Sequence, residues 1–167
     1  MSRLLIIGYV WPEPNSSAAG ARMMQLIEFF KERSYQITYA TSARRSENMA
    51  DLETLGVTSR EIQPNNDEFD VFVQELDPQI VLFDRFMMEE QFGWRIDKFC
   101  PDALKILDTE DLHSLRKVRE TILKSGQELD DVYLDAEITK REAAAIYRCD
   151  ISLIISSNFS NFFFYSI

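Results

Sequence analysis

Leu104-Lys105-Ile106-Leu107-Asp108-Thr109-Glu110-Asp111-Leu112-His113-Ser114-Leu115-Arg116 is the stretch that decides the fold. A short apolar run breaks off into three carboxylates and the chain's lone histidine, and helical spacing follows. An apolar run of that length, bounded by polar residues, reads as a buried strand. A strand that feeds a helix through a polar turn is half of a βαβ unit. The same pattern recurs on both sides. Arg3 to Val10 is an apolar run that ends near Gly8. Ile37 to Thr41 is β-branched and aromatic. Gln79 to Phe83 stops at Asp84-Arg85, and Ile151 to Ile155 follows Asp150. A weaker strand is expected around Arg60 to Ile62.

Helices fill the intervals. Met23, Leu26, Ile27 and Phe30 repeat at i, i+3, i+4 and i+7, which predicts a helix over 18–33 with Ser16 or Ser17 as its N-cap. A short helix is expected from Met49 to Leu55. Another spans Asp67 to Leu76 and is ended by Pro78. Further helices are expected from Glu89 to Phe99, from Leu112 to Leu123, and from Asp130 to Arg148. Short, continuously apolar strands alternating with helices specify an α/β fold, a Rossmann-like parallel sheet flanked by helices. With 167 residues, one domain over 1–156 is expected, followed by an atypical apolar tail at 157–167.

Composition narrows the function classes. Hydrophobic residues make up 46% of the chain, enough for a core. Basic residues number 18 against 28 acidic, so the net charge is −10. That charge argues against nucleic acid, whose phosphates need a basic footprint, and against an anionic membrane surface. No stretch approaches the ~20 apolar residues of a membrane helix. The N-terminal apolar run is too short for a signal peptide, so a cytoplasmic protein is expected. Cys100 and Cys149 form no CxxC pair, and with one His they do not supply a zinc site. They read as buried thiols. The sequons at Asn15 and Asn158 matter only for a secreted chain.

In parallel sheets, ligands bind at the C-terminal ends of the strands. After the first strand come Asn15, Ser16, Ser17 and Gly20, with Arg22 behind them. Small residues at a helix N-terminus let a phosphate or sugar hydroxyl approach the backbone. The competing reading is an ordinary capped helix. No G-x-G-x-x-G or P-loop follows the strand, which disfavours a dinucleotide oxidoreductase and excludes a P-loop nucleotidase. A phosphoacceptor receiver domain needs acids where this chain has Gly8-Tyr9-Val10-Trp11. Asp84 and Arg85 are placed to face the cleft, or to satisfy each other. Glu89 and Glu90 read as acids favoured by a helix dipole. Asp108, Glu110 and Asp111 can order sugar hydroxyls or bind a divalent cation, and His113 can move a proton. The alternative there is a solvated acidic turn with Asp111 as N-cap.

Three stretches together resemble the N-terminal domain of a GT-B glycosyltransferase of the retaining family-four type. The first is Pro14-Asn15-Ser16-Ser17-Ala18-Ala19-Gly20-Ala21-Arg22 with its helix, leading to Tyr35-Gln36-Ile37-Thr38-Tyr39-Ala40-Thr41. The second is Leu107 to Arg116, similar to the family's D-x-x-D-L-H-x-L-R segment. The third runs from Lys140-Arg141-Glu142 to Tyr147-Arg148-Cys149-Asp150-Ile151-Ser152-Leu153-Ile154-Ile155-Ser156. Ser34-Tyr35 stand where the family has Gly-His.

The resemblance implies an acceptor-binding half that works with a nucleotide-diphosphate sugar as co-substrate and without a cofactor or metal. It implies a catalytic position for His113 and a cleft lined by Asp84 and Arg85. It gives Asp108, Glu110 and Asp111 to hydroxyls or loops, and Asn15 to Gly20 with Arg22 to an acceptor or a donor phosphate. The donor-binding half is not in the sequence, so the chain is expected to be inactive alone and the tail to mark a truncation. A second reading keeps the fold and makes it a non-catalytic assembly module that docks a partner chain.

Overall fold

The computed structural model describes residues 2–125 and 136–154. In chain order they form β1 (Arg3–Gly8), α1 (Ala18–Glu32), β2 (Gln36–Thr41), β3 (Thr58–Glu61), α2 (Glu68–Leu76) and β4 (Ile80–Asp84). Then come α3 (Phe86–Phe99), β5 (Leu104–Asp108), α4 (His113–Ser125), α5 (Glu137–Arg148) and β6 (Ile151–Leu153). The six strands pair in parallel, in the order β3-β2-β1-β4-β5-β6. This is the Rossmann-like α/β arrangement the alternation predicted.

Side chains alternate across a strand, so β1 feeds two cores. Leu5 and Ile7 pack with Val81, Phe83 and Leu107 against Phe69 and Val73 of α2, Phe92 and Ile96 of α3, and Ala145 of α5. Leu4 and Ile6 pack with Ile37, Leu82 and Ile106 against Met23, Ile27 and Phe30 of α1. Helices cover both faces, which is why the strands read as unbroken apolar runs. Leu112, Leu115 and Val118 form a smaller cluster under α4.

Strand order reverses direction between β1, which pairs with β2 on one side, and β4 on the other. The backbone connections diverge at such a switch point and leave a crevice at the C-terminal strand ends. Gly8 ends β1 there because a Cβ would lie 1.9 Å from the Tyr39 hydroxyl. That hydroxyl crosses the glycine to donate to the Val10 carbonyl at 2.6 Å.

Several sequence expectations shift. Met49 to Leu55 is a set of turns, not a helix. The Ala50 amide is drawn to the Pro12 carbonyl at 2.8 Å, and Leu55 bonds back to Leu52 at 3.1 Å. Gly56, at φ +74°, then ends the segment. The weak strand lies over Thr58–Glu61 rather than 60–62. The third helix begins at Phe86, ahead of its acids. The expected helix over 130–148 is described only from Glu137, and the last strand ends at Leu153. Residues 130–135, Ile155 and the tail at 157–167 lie outside the described residues.

Candidate active site at the strand switch point

Asp84 and Asp108 are register partners at the ends of β4 and β5, and both are buried. The Arg85 amide donates to the Asp108 carbonyl at 2.8 Å and extends the ladder by one residue. The chain then turns into α3 with Arg85 at φ 75° and ψ 156°. That region is almost confined to glycine and costs about 1–3 kcal/mol, a strain typical of functional turns.

The turn keeps the Arg85 side chain largely buried at the strand ends. Its Nε lies 3.6 Å from Asp84 Oδ1 and 3.6 Å from Glu110 Oε2. The centre of its guanidinium lies 4.9 Å from the centroid of the Tyr9 ring. Among the described residues Arg85 Nε makes no hydrogen bond, although it is buried. The Tyr9 amide donates to Asp84 Oδ2 at 3.1 Å. Burial nevertheless pushes the Asp84 carboxyl up to about 6. Arg85 and the Tyr9 amide oppose that rise, while Asp108 and Glu110 add to it.

Asp108 is answered by α1. Arg22 Nε donates to Asp108 Oδ2 at 3.1 Å and Nη2 to Oδ1 at 2.8 Å, a bidentate fork. The Glu110 amide folds back on Asp108 Oδ1 at 3.3 Å, with Glu110 at φ +53°. Thr109 Oγ1 donates to the Leu153 carbonyl at 3.0 Å and ties the turn to β6.

His113 opens α4 beside this network. Its amide donates to Glu142 Oε1 at 3.1 Å, and the Ser114 amide donates to Glu142 Oε2 at 3.1 Å. The Ser114 hydroxyl also donates to Glu142 Oε2. A buried carboxylate from α5 thus caps α4 across space, where the alternative reading of the sequence has Asp111 as the N-cap. Burial raises the Glu142 carboxyl and its hydrogen bonds oppose that rise. His113 Nδ1 faces the Arg116 guanidinium at 3.0 Å. A guanidinium only donates, so Nδ1 accepts and the ring proton sits on Nε2. Nε2 is buried and unpartnered among the described residues. Burial, Arg116 and Arg85 lower the His113 pKa, so the ring is a neutral donor near pH 7.

Arg22, Asp84, Arg85, Asp108 and Glu110 therefore form one network, with His113 at its margin. The N-terminal loop stands apart. Among the described residues no hydrogen bond or ion pair joins Asn15, Ser16, Ser17 or Gly20 to it. Ser17 caps α1 by accepting from the Gly20 amide at 3.0 Å. A Cβ on Gly20 would lie 2.4 Å from the Glu13 carbonyl, so this glycine admits the loop's own backbone. Asp111 pairs with Arg116 at 3.0 Å, half exposed. Glu89 is not merely a dipole-favoured acid. It is buried and takes Arg148 Nε at 2.8 Å, while Glu90 takes Arg141 Nε at 2.9 Å, and the two pairs join α3 to α5.

Sequence reasoning missed Tyr9 and Glu142. Tyr9 acts through its amide, which leaves no mark on residue type. Glu142 lies in the third resembling stretch, where residue type alone gives no sign of a cap made across space. Among the described residues no group of three or more His, Cys, Asp or Glu is arranged to hold a metal ion. Both cysteines are free thiols, Cys100 buried and Cys149 half-buried, the latter pushed up to about 12 mainly by burial. No helix among the described residues is long and apolar enough to cross a membrane. The chain matches no protein-family model and no curated protein sequence.

Proposed function

We propose that the switch-point network binds a polyhydroxylated ligand and forms the acceptor side of a sugar transferase. One observation carries the reading: three carboxylates and two arginines meet at the crevice of a parallel sheet, on a turn strained at Arg85. Carboxylates accept from sugar hydroxyls, and a fixed guanidinium orients them without leaving a buried charge unpaired. The exposed Tyr9, over which Arg85 lies, offers an apolar ring face beside these polar groups.

In this reading Asp84, at about 6, is the group best poised to exchange a proton with an acceptor hydroxyl. His113 serves as a neutral Nε2–H donor. The Arg22–Asp108 pair holds the floor. The sugar would come from a nucleotide-diphosphate donor held by a second domain, and the reaction would take place in the cytoplasm. Turnover by the described fold alone is then negligible, because the donor groups that complete the transition state belong to that other domain.

The test is saturation binding of a panel of methyl glycosides and glycan fragments, followed through the single histidine resonance, with sugar transfer assayed in parallel. Saturable binding that Asp84→Ala abolishes, without turnover, supports the proposal. Sugar transfer by these 167 residues alone contradicts the half-enzyme reading.

A further inference from the structure

A second recess opens on the same edge of the sheet, on the β2–β3 side of the switch point. Its walls come from the chain just past β2, from β3 and the turn after it, and from the first turns of α2. Ala43, Arg44, Arg60, Gln63, Phe69 and Phe72 are among the residues that line it, and it measures about 180 Å³. A closed cavity of about 150 Å³ admits a benzene ring. The recess therefore has room for one ring, with a substituent at its mouth.

Charge singles this place out. The chain carries 28 acidic residues against 18 basic ones, so an arginine without a carboxylate is the exception. Among the described residues only Arg44, Arg60 and Arg119 are arginines that make no ion pair. Two of the three line this recess. Of the two carboxylates here, Glu61 is already answered by Arg45 at 3.1 Å, which leaves Glu68 against two uncommitted guanidinium groups. Arg60 lies over the Phe72 ring, 5.4 Å from its centroid, which positions the cation without neutralising it.

The recess is also held in shape. Trp11 Nε1 donates to the Ala43 carbonyl at 2.9 Å, and the Ala43 amide donates to Thr41 Oγ1 at 3.1 Å. These bonds fix the start of the segment that carries Arg44. The α2 N-terminus adds little, because its first amides are taken: Glu68 by Asn66 Oδ1 at 2.9 Å and Asp70 by the Asp67 carbonyl at 3.0 Å. The cationic groups of the site are its arginines.

We infer that this recess binds a phosphorylated ring compound, with the phosphate on Arg44 and Arg60 and the ring against Phe72 and Phe69. Two planar guanidinium forks match a phosphate's several oxygens better than one carboxylate's pair. The inference stands apart from the switch-point reading and shares no residue with it.

Calorimetric titration of the full chain with phenyl phosphate, inorganic phosphate and benzoate tests it. Phenyl phosphate binds saturably and tighter than the other two, and weakens as salt rises. Arg44→Ala/Arg60→Ala, both exposed and outside the core, weakens it about tenfold or more, as expected for lost charge-assisted bonds. Phe72→Leu keeps the apolar bulk and removes the preference for phenyl phosphate over inorganic phosphate. Absence of phenyl phosphate binding, binding unchanged in the double variant, or benzoate binding as tightly would each overturn the inference.

Discussion

Arg22 and Asp108 stand 86 residues apart and meet through two parallel hydrogen bonds, 2.8 and 3.1 Å long, that tie α1 to the end of β5. Asp108 is 1% exposed and Arg22 29%, so the pair closes the floor of the crevice with one charge fully buried. An ion pair in this position specifies geometry more than it stabilises, but breaking it leaves a buried charge unanswered.

Arg22→Ala is accordingly expected to destabilise the fold by about 3 kcal/mol, the lower end for a buried pair given the exposure of Arg22. Arg22→Lys recovers only part, because an ammonium cannot reproduce the fork. Urea unfolding of both variants checks this, and an Arg22→Ala cost under about 0.5 kcal/mol would reduce the pair to a surface contact.

Asp84 makes stability depend on pH in a direction opposite to the usual carboxylate. Its folded pKa, about 6, lies above the ordinary value of 3.8. The folded state therefore binds the proton more tightly, and stability present below about pH 4 is lost as pH rises through 6. Two pKa units at 1.36 kcal/mol each make this about 2–3 kcal/mol. Asp84→Asn, which keeps an oxygen for the Tyr9 amide, should be more stable than wild type at pH 7.5 by about that amount and indistinguishable near pH 4. Thermal melts across this range check the sign.

Glu142 uses each carboxylate oxygen for a different amide. Glutamine replaces one acceptor with an NH₂ that faces a donor. Glu142→Gln should cost about 1–3 kcal/mol, the penalty for an unsatisfied buried group. It should also move the single histidine resonance, because His113 loses its anchor. An unmoved resonance would mean that α4 is held by its apolar face alone.

Ser34 sits at φ +62°, between α1 and β2. A left-handed conformation strains an L-residue but not glycine. Ser34→Gly should stabilise the chain by about 0.5–1 kcal/mol, which raises Tm by about 1–4 °C for a chain of this size. Differential scanning calorimetry resolves a shift of that size.

The sheet was legible because burial on both faces writes each strand as an unbroken apolar run. β1, β2, β4 and β5 stand close to where Arg3 to Val10, Ile37 to Thr41, Gln79 to Phe83 and Leu104 to Leu107 placed them. β3 was blurred because Thr-Ser-Arg-Glu carries no apolar signal and its pairing comes from β2 alone. The turns over 49–55 read as a helix because Met49, Leu52 and Leu55 fall at helical spacing, whereas the backbone is claimed by Pro12. At the site, the charged residues after β4 and β5 were visible as types. The strained φ of Arg85, the amide of Tyr9 and the distant cap from Glu142 were not, since each depends on tertiary contact rather than on local pattern. Ser34 is the converse: its positive φ favours glycine, and the residue type gives no sign of it.

The role proposed for the switch-point network is the binding of sugar hydroxyls. It is tested most directly by titrating the folded chain with methyl glycosides while following the His113 ring and the Tyr9 amide by NMR. At least one glycoside is expected to shift both resonances together, along one saturable curve that Asp84→Ala abolishes. Glycosides that leave both resonances in place, or shift them equally in Asp84→Ala, would contradict it.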